Sequence, residues 1–411
     1  MTNTELNLEF VRKQFPALSG EWTFMDNAGG SQILQTVVNN VTEYMIHSNV
    51  QLGASYKVSQ IATERVLEAH KMTAEFINAN DHSEVIIGSS TTMLIRILAL
   101  CISQTFKQGD EIVVTNCDHE ANIGAWAELE KKGMVIKQWK INQDTFRMEL
   151  DDLKKLMTER TKLVAVTHTS NILGTLNPIK EITQFVHSYG SLICVDGVAH
   201  APHRLIDVQD IDVDFYSLSF YKVFGPHISM LYGKKKLLLN MPGMSHFFIE
   251  PDNIPYKFQP GSPNYELSYG LLGLREYFNA FAKAHNYKDK SFRENAAFAY
   301  NIIAAHEELL ADRLLNYLNS KPNVKIIGES KADRSKRVPT ISFIVKDRTS
   351  DSITLKVDEH KIGIRYGDFY ARRLIDDLSL SKQNGVVRVS LVHYNSLEEV
   401  DNLINVFEQI L

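Results

Sequence analysis

SLICVDGVAHAPHRLIDVQDIDVDFYSLSFYKVFGP, residues 191–226, contains two short apolar runs. The runs Leu192–Asp196 and Phe215–Ser219 have the length and the β-branched or aromatic content of buried strands. In an open parallel sheet, ligands bind beyond the carboxyl ends of the strands. Because Asp196 and Lys222 fall at or just past such ends, we expect both side chains to face one ligand site.

Short apolar runs alternate with longer amphipathic segments on both sides of this stretch. Ala121–Lys132 and Ile179–Tyr189, for example, carry apolar residues at helical spacing. We therefore predict an α/β fold whose large domain has a mainly parallel sheet flanked by helices. The other predicted strands of this domain are Val85–Gly88, Glu111–Thr115, Lys162–Thr167 and Ser229–Tyr232.

After Gly261 the pattern changes to long helical segments and a few isolated β-like runs, which predicts a smaller α+β domain. We place the large domain at residues 26–275 and the small domain at residues 1–25 and 276–411. The predicted helices here are Glu266–His285, Phe292–Ser320 and Leu397–Ile410, the last with Ser396 as its N-cap. The predicted strands are Val324–Ile327, Thr340–Val345 and Val386–Ser390.

Composition argues against several classes of protein. The chain has 411 residues, 44% of them apolar, which favours two domains. Its net charge of −5 makes nucleic acid and anionic membranes unexpected partners. Cys101, Cys117 and Cys194 form no CxxC pair, so neither a disulfide framework nor a metal site is expected. With no long apolar run and no signal-peptide pattern, we expect a cytoplasmic protein.

Asp196 and Lys222 together suit one cofactor, pyridoxal 5′-phosphate (PLP). A buried lysine amine with a lowered pKa can condense with an aldehyde. A buried carboxylate that faces the pyridine nitrogen favours the protonated ring, which then accepts electrons from the substrate. Either residue alone is usually a solvated or capping residue. The pair, placed at neighbouring strand ends, predicts a PLP site.

Several successive blocks carry a family resemblance. The blocks are VTHTSNILGTLNP (166–178), CVDGVAHAPH (194–203), SLSFYKVFGP (217–226), FQPGSPNYE (258–266) and VRVSLVHYNSLEEVD (387–401). With them the chain resembles the cysteine desulfurases and selenocysteine lyases, the class V aminotransferase branch of PLP fold type I. The match begins at FMDNAGGSQ, residues 24–32, and reaches the final helix. The resemblance implies a homodimeric PLP enzyme with shared active sites that acts on an amino acid.

The resemblance implies roles for the matched residues. Lys222 matches the lysine that forms a Schiff base with PLP, and Asp196 matches the partner of the pyridine nitrogen. His119, in the block DHEAN, matches the histidine stacked on the cofactor ring. Asn171 matches the residue that hydrogen-bonds the phenolic oxygen. The predicted catalytic residues are therefore Lys222, His119 and Asp196.

Phosphate binding is predicted for the hydroxyl-rich turn GSSTTM, residues 88–93, because amides at a helix start attract an anion. Ser219 matches a second phosphate-binding hydroxyl of the family. Ser262 matches a residue that the family inserts into the neighbouring subunit's phosphate site. The residues that the turn contributes to the predicted cofactor site are Ser89, Ser90 and Thr91.

The resemblance also implies a substrate site. Arg388 matches the arginine that binds the α-carboxylate of the substrate, a task for which a guanidinium fork has the right shape. Arg365 and Asn27 lie in matched segments and are predicted to bind the substrate as well.

The pattern breaks where the desulfurase reaction of the family needs a thiol. The family's loop reads roughly R-x-G-x-x-C-A, whereas this chain reads RYGDFYA at 365–371, with Tyr370 at the cysteine position. Ala199 replaces a glutamine that supports the phenolic oxygen, and Tyr221 replaces a histidine before the lysine. QLGAS at residues 51–55 replaces a basic stretch. These departures predict a subgroup that lacks the catalytic cysteine and acts on a substrate other than plain cysteine.

Without a thiolate to attack sulfur, expulsion of a β-substituent is the simplest reaction. The leading prediction is a C–S lyase that converts a cysteine-derived amino acid to pyruvate and ammonia. Transamination, epimerisation or decarboxylation on the same scaffold is the alternative. Desulfuration through Cys117, or a PLP-binding sulfur-transfer partner without turnover, ranks lower. Tyr370 is a candidate proton donor to the leaving group.

Overall fold

The computed structural model describes residues 5–288 and 290–411. Residues 1–4 and 289, which the sequence prediction assigns to the small domain, lie outside the described residues. The strands are β1 Thr23–Phe24, β2 Val85–Gly88, β3 Glu111–Thr115, β4 Val135–Trp139, β5 Thr161–Thr167, β6 Leu192–Asp196, β7 Phe215–Ser219, β8 Ser229–Gly233, β9 Val324–Ile327, β10 Thr340–Val345, β11 Ile362–Gly363, β12 Arg365–Gly367 and β13 Val386–Ser390. The helices are α1 Leu8–Arg12, α2 Gln35–His47, α3 Lys57–Ile77, α4 Thr91–Ile102, α5 Ala121–Ala127, α6 Leu150–Leu156, α7 Ile179–Ser188, α8 Lys235–Asn240, α9 Tyr265–Gly270, α10 Leu272–Ala284, α11 Phe292–Asn319, α12 Ser350–Asp358, α13 Arg372–Asp377 and α14 Leu397–Ile410.

The larger sheet has seven strands in the order β2-β8-β7-β6-β5-β3-β4. The strands from β7 to β4 are parallel, and β8 runs antiparallel to both of its neighbours. Successive residues of β3 point into different cores, Val113 with residues of α3 and α7, and Ile112 and Val114 with residues of α4 and α5. Helices therefore cover both faces, as predicted for an α/β fold with a mainly parallel sheet.

The smaller sheet is antiparallel, with the strand order β12-β13-β10-β9. Its apolar face joins α11 and α14 in one core, in which Phe343 packs with Leu314 and Phe407. The short strand β1 pairs with β11 in parallel, Thr23 with Ile362 and Phe24 with Gly363. Helix α10 runs through the predicted boundary at residue 275, so the position of that boundary stays a prediction.

The structure differs from the sequence prediction at several elements, including the following three. The edge strand β4 was not predicted, because its half-exposed run contains Lys137 and Gln138 rather than a continuous apolar stretch. The predicted helix Glu266–His285 is two helices, α9 and α10, divided at Leu271. The comparison with the family's loop predicts no strand at Arg365–Gly367, whereas the structure has β12 there, paired with β13. In contrast, α14 begins as predicted, with the Ser396 side chain accepting a hydrogen bond from the backbone N–H of Glu399.

Among the residues that the structure describes, no helix is both long enough and apolar enough to cross a membrane.

Candidate active site

One cavity lies at the carboxyl ends of the parallel strands. Strands β5, β6 and β7 end at Thr167, Asp196 and Ser219, and all three residues line this cavity. Parallel strands bring such residues together because their carboxyl ends share one edge of the sheet. Of the residues predicted from the sequence, the cavity brings together Ser90, Thr91, His119, Asn171, Asp196, Ser219 and Lys222.

Lys222 lies in this cavity. It ends a single 3₁₀ turn, Phe220–Lys222, that follows β7, and the residue is buried. Burial, assisted by the positive charge of Arg388 and opposed by Asp196, lowers the pKa of Lys222 to about 8. About a tenth of this amine is therefore uncharged at pH 7, far more than for an exposed lysine. The uncharged amine is the form that attacks an aldehyde.

Asp196 is buried at the end of β6, where its Oδ1 accepts a hydrogen bond of 2.9 Å from the backbone N–H of Val198. Burial raises the pKa of Asp196, while the Val198 N–H and Lys222 lower it. A protonated pyridine nitrogen would stabilise the ionised carboxylate here. Gly197 is needed beside it, because a Cβ atom at this position would lie 2.1 Å from the hydroxyl oxygen of Tyr216.

His119 and Asn171 line the same cavity. The Nδ1 atom of His119 accepts a 3.0 Å hydrogen bond from the backbone N–H of Ala121. Burial and the positive charges of Lys222 and Arg388 lower the pKa of His119 to about 4, so the ring is neutral near pH 7. A flat, neutral imidazole suits stacking on an aromatic ring.

Asn171 has one buried atom without a partner. Its Nδ2 donates a 2.9 Å hydrogen bond to the carbonyl oxygen of Phe369. Its Oδ1 is buried and accepts no hydrogen bond from any residue that the structure describes. Because buried polar atoms are nearly always satisfied, this atom indicates a polar group that belongs in the cavity. Together with the amine of Lys222 and the carboxylate of Asp196 in the same cavity, this amide oxygen forms a set of polar groups that fits PLP.

Three hydroxyl side chains meet where α4 begins. The Oγ1 of Thr91 lies 2.8 Å from the Oγ of Ser219, which in turn lies 2.9 Å from the Oγ of Ser229. Ser90 caps the helix by accepting a hydrogen bond from the N–H of Met93. Hydroxyl groups and free amides at the positive end of a helix dipole form a site for a phosphate dianion.

Ser89 and Ser262 do not line this cavity. Both line a separate groove, together with Gln259 and Tyr265. The prediction that Ser89 binds the cofactor stays a prediction, because within one chain this residue lines the groove and not the cavity. The predicted role of Ser262 lies in the partner subunit's site and stays a prediction.

Arg388 is buried and held on several sides. Its guanidinium carbon lies 3.7 Å from the ring centroid of Phe369. Its Nη1 donates to the carbonyl oxygen of Asn171 at 3.1 Å, and its Nη2 donates to Asp26 Oδ1 at 2.7 Å. Arg365, on β12, lies opposite Arg388, on β13, and the Nη1 of Arg365 lies 3.9 Å from Asp26 Oδ2. Sequence reasoning missed Asp26, although an acidic residue in a matched block is a plausible partner for either arginine.

Asn27 makes several hydrogen bonds within the protein. Its Nδ2 donates to the carbonyl oxygens of Phe24 and Ser390, at 3.1 and 2.9 Å. Its Oδ1 accepts a hydrogen bond from the hydroxyl of Tyr394. These bonds use both ends of a buried amide, and the predicted role of Asn27 in substrate binding stays a prediction. The Asn27 side chain ties the segment after β1 to β13.

The segment at residues 365–371, predicted to replace the family's cysteine loop, borders the active site. The ring of Tyr370 lies 5.2 Å from the ring of His119 and is 69% exposed. Phe369 and Tyr370 have φ angles of +50° and +59°, a conformation that costs energy for residues other than glycine. Hydrogen bonds from Asn171 to the Phe369 carbonyl and from the Glu120 N–H to the Tyr370 carbonyl hold this conformation.

The cysteines are all buried. Cys117 lies next to Asp118 and donates a hydrogen bond to the sulfur of Met148 at 3.5 Å. Burial, together with the negative charge of Asp118, raises the pKa of Cys117 well above that of a free thiol. A protonated, enclosed thiol is not a nucleophile.

The fold and this cavity define a PLP-dependent enzyme. The chain belongs to the class V aminotransferase family, whose model, described as "Aminotransferase class-V", matches residues 23–403. The resemblance seen in the sequence blocks is thereby confirmed.

Proteins of known sequence and structure agree with this assignment. The chain is 42% identical to the aminotransferase-like protein FGM3 of Gibberella zeae, over 100% of both chains. It is 33% identical to the cysteine desulfurase-like protein ustD of Aspergillus flavus, over 99% of this chain and 91% of the relative. The crystal structure of the cysteine desulfurase CsdA from Escherichia coli superposes with a TM-score of 0.83 at 26% identity, covering 98% of each chain.

Proposed function

We propose that the protein is a C–S lyase that eliminates the β-substituent of a cysteine-derived amino acid. The observation that carries this proposal is the side chain at the active-site entrance. Tyr370 lies beside His119, at the position where the family has its cysteine, while Cys101, Cys117 and Cys194 are all buried. With no thiolate to take up sulfur, the sulfur would leave attached to its own substituent.

Four residues divide the work in this proposal. Bound PLP would supply an electron sink for the carbanion formed at the α-carbon of the substrate. Lys222, with its lowered pKa, would remove the α-proton once its amine is free. Asp196 would keep the pyridine nitrogen charged, and His119 would cover the ring. Arg388 would bind the α-carboxylate, which fixes the orientation of the α-proton.

Tyr370 is the proposed proton donor to the leaving sulfur. Its phenol is largely exposed, and its ring lies 5.2 Å from that of His119. A thiolate is a modest leaving group, so elimination should be fastest when the sulfur is activated. We expect the substrate to be a cysteine S-conjugate, a sulfoxide, cystine or selenocysteine.

A panel of S-substituted cysteines tests this function. The purified, PLP-loaded protein should release pyruvate and ammonia in equal amounts from at least one member. The Lys222→Ala variant should release neither, and Cys117→Ala should match the wild type because that thiol is enclosed. The proposal fails if no member yields pyruvate above the Lys222→Ala background, or if Cys117→Ala loses the activity.

Transamination is the second candidate, favoured by the name of the 42% identical relative, which is an aminotransferase-like protein. It needs no thiol and uses the same lysine. Consumption of one 2-oxo acid for each amino acid, without release of ammonia, would favour it over elimination.

We also propose a cytoplasmic homodimer with shared active sites. Ser262 lies away from the cavity of its own chain, and several apolar side chains of the preceding segment are exposed. Phe247 is 100% exposed and Phe248 is 65% exposed. A second copy that covers these rings would also bring Ser262 to the partner's phosphate site. Sedimentation of the wild type and a Phe247→Asp, Phe248→Asp variant tests this, because a dimer that survives in the variant would contradict it.

A further inference from the structure

Two arginines face each other at the edge of the active site. In the pairing of β12 with β13, Arg365 lies directly opposite Arg388. Like charges in opposed positions destabilise a sheet unless an anion compensates them. Asp26 supplies that anion, with Oδ1 2.7 Å from Arg388 Nη2 and Oδ2 3.9 Å from Arg365 Nη1. These three side chains, the Arg–Asp–Arg cluster, carry one positive charge in excess.

The edge of Arg388 that suits a carboxylate is half occupied. A bidentate carboxylate uses the two neighbouring N–H groups of Nε and Nη2. Nη2 donates to Asp26, whereas Nε is buried and unpartnered among residues 5–288 and 290–411. One face of the guanidinium lies against the Phe369 ring, and Nη1 donates to the Asn171 carbonyl oxygen. A ligand carboxylate that takes both Nε and Nη2 therefore competes with Asp26 for Nη2.

We propose that Asp26 is an internal placeholder for the carboxylate of the substrate. In the free enzyme it compensates and orients Arg388, and it moves toward Arg365 when a ligand carboxylate takes the Nε–Nη2 edge. The inference rests on the proposed function, in which Arg388 binds the α-carboxylate.

The surroundings of Asp26 permit this movement. Its side chain is 30% exposed, whereas that of Arg388 is 2% exposed. Gly29 leaves the space that the carboxylate occupies, because a Cβ atom there would lie 2.7 Å from Asp26 Oδ2. After the move, Asp26 pairs with Arg365 and the ligand with Arg388, so both arginines stay compensated.

The placeholder role of Asp26 makes the site prefer ligands that carry a carboxylate. A ligand with a carboxylate replaces the bond that Asp26 gives up, whereas an amine without a carboxylate leaves Asp26 in place and gains nothing from Arg388. Loss of the charge at Asp26 and loss of the charge at Arg365 should therefore change the Kd of a ligand carboxylate in opposite directions. Asp26 competes with that carboxylate, whereas Arg365 receives the displaced Asp26. A merely structural role would weaken binding in both variants.

Binding of L-alanine and L-alaninamide to the PLP-loaded protein, followed by the visible absorbance of the cofactor, tests this. A charge-assisted hydrogen bond corresponds to about a tenfold change in affinity. Asp26→Asn should lower the Kd of L-alanine about tenfold, and Arg365→Gln should raise it about tenfold, with L-alaninamide unchanged in both. Glu21→Gln removes a carboxylate that lies 3.4 Å from the Lys361 ammonium, just before the paired strands β1 and β11, and should change the Kd of neither ligand.

The outcomes separate the placeholder from the function on which it rests. If Asp26→Asn weakens L-alanine, leaves it unchanged, or shifts both ligands equally, the placeholder is wrong. If Asp26→Asn does not fold, Arg365→Gln decides, and an unchanged L-alanine affinity there overturns the proposal. If Arg388→Gln still prefers L-alanine over L-alaninamide as the wild type does, the carboxylate site itself is misassigned.

Discussion

Lys222→Met should stabilise the folded apoprotein near neutral pH, although it removes the residue on which the proposed chemistry depends. An unfolded chain holds the lysine proton up to a pKa of 10.5, whereas burial lowers the pKa of Lys222 to about 8 in the folded protein. Each pH unit between these two pKa values corresponds to about 1.4 kcal/mol. Below pH 8, the buried charge of Lys222 therefore lowers the free energy of unfolding of the apoprotein by about 3 kcal/mol, compared with a lysine whose pKa is not shifted.

The direction in which pH changes this stability difference follows from proton linkage. Folding releases a proton between about pH 8 and pH 10.5, so the contribution of Lys222 to stability is most unfavourable below pH 8 and vanishes above pH 10.5. Methionine has a similar length and no charge, so its advantage should be about 3 kcal/mol at pH 7 and should shrink as the pH rises through that window.

Urea unfolding of both apoproteins, with PLP removed, measures this difference at pH 7 and at successive values up to pH 10. Equal stability at pH 7, or a difference that does not change with pH, would refute the reasoning. Lys257→Met is a matched control, because the ammonium of this second buried lysine donates to the carbonyl oxygens of Leu239, Met241 and Pro251. Its loss leaves buried acceptors without donors, so this variant should be less stable than the wild type.

Three further changes test the site. Gly197→Ala places a Cβ atom 2.1 Å from the Tyr216 hydroxyl, so it should destabilise the fold by about 1–3 kcal/mol, measured by thermal unfolding, and weaken PLP binding, measured by cofactor titration. An alanine variant with wild-type values in both would contradict the packing argument. In Tyr370→Cys, one thiol should react rapidly with a thiol-specific dye in the native state. The three wild-type cysteines should react only on unfolding, because they are buried. A fast-reacting thiol in the native wild type would contradict this argument. Tyr370→Phe should lower kcat at least about a hundredfold for substrates with poor leaving groups and much less for sulfoxides, and equal losses for both would exclude Tyr370 as the proton donor.

Much of the active site could be predicted because it lies at strand ends. The runs that form β6 and β7 are apolar and continuous, so their ends at Asp196 and Ser219, and the position of Lys222 just beyond, follow from a local pattern. The phosphate turn is recognisable for a similar reason, since hydroxyl residues precede the apolar spacing of α4. The pattern could not show which cavity each serine of the turn lines. Ser90 lines the active-site cavity, whereas its neighbour Ser89 lines another groove.

The sequence alone predicted the buried strands around the active site, the lysine and carboxylate at neighbouring strand ends, and a residue other than cysteine at position 370. The packing of the chain was needed to show that Asp26 lies between Arg388 and Arg365, and that the amide of Asn27 is hydrogen-bonded within the protein. The physical reason is that strand and helix patterns arise from neighbours in the chain, whereas the partner of a charge depends on register and packing between segments hundreds of residues apart.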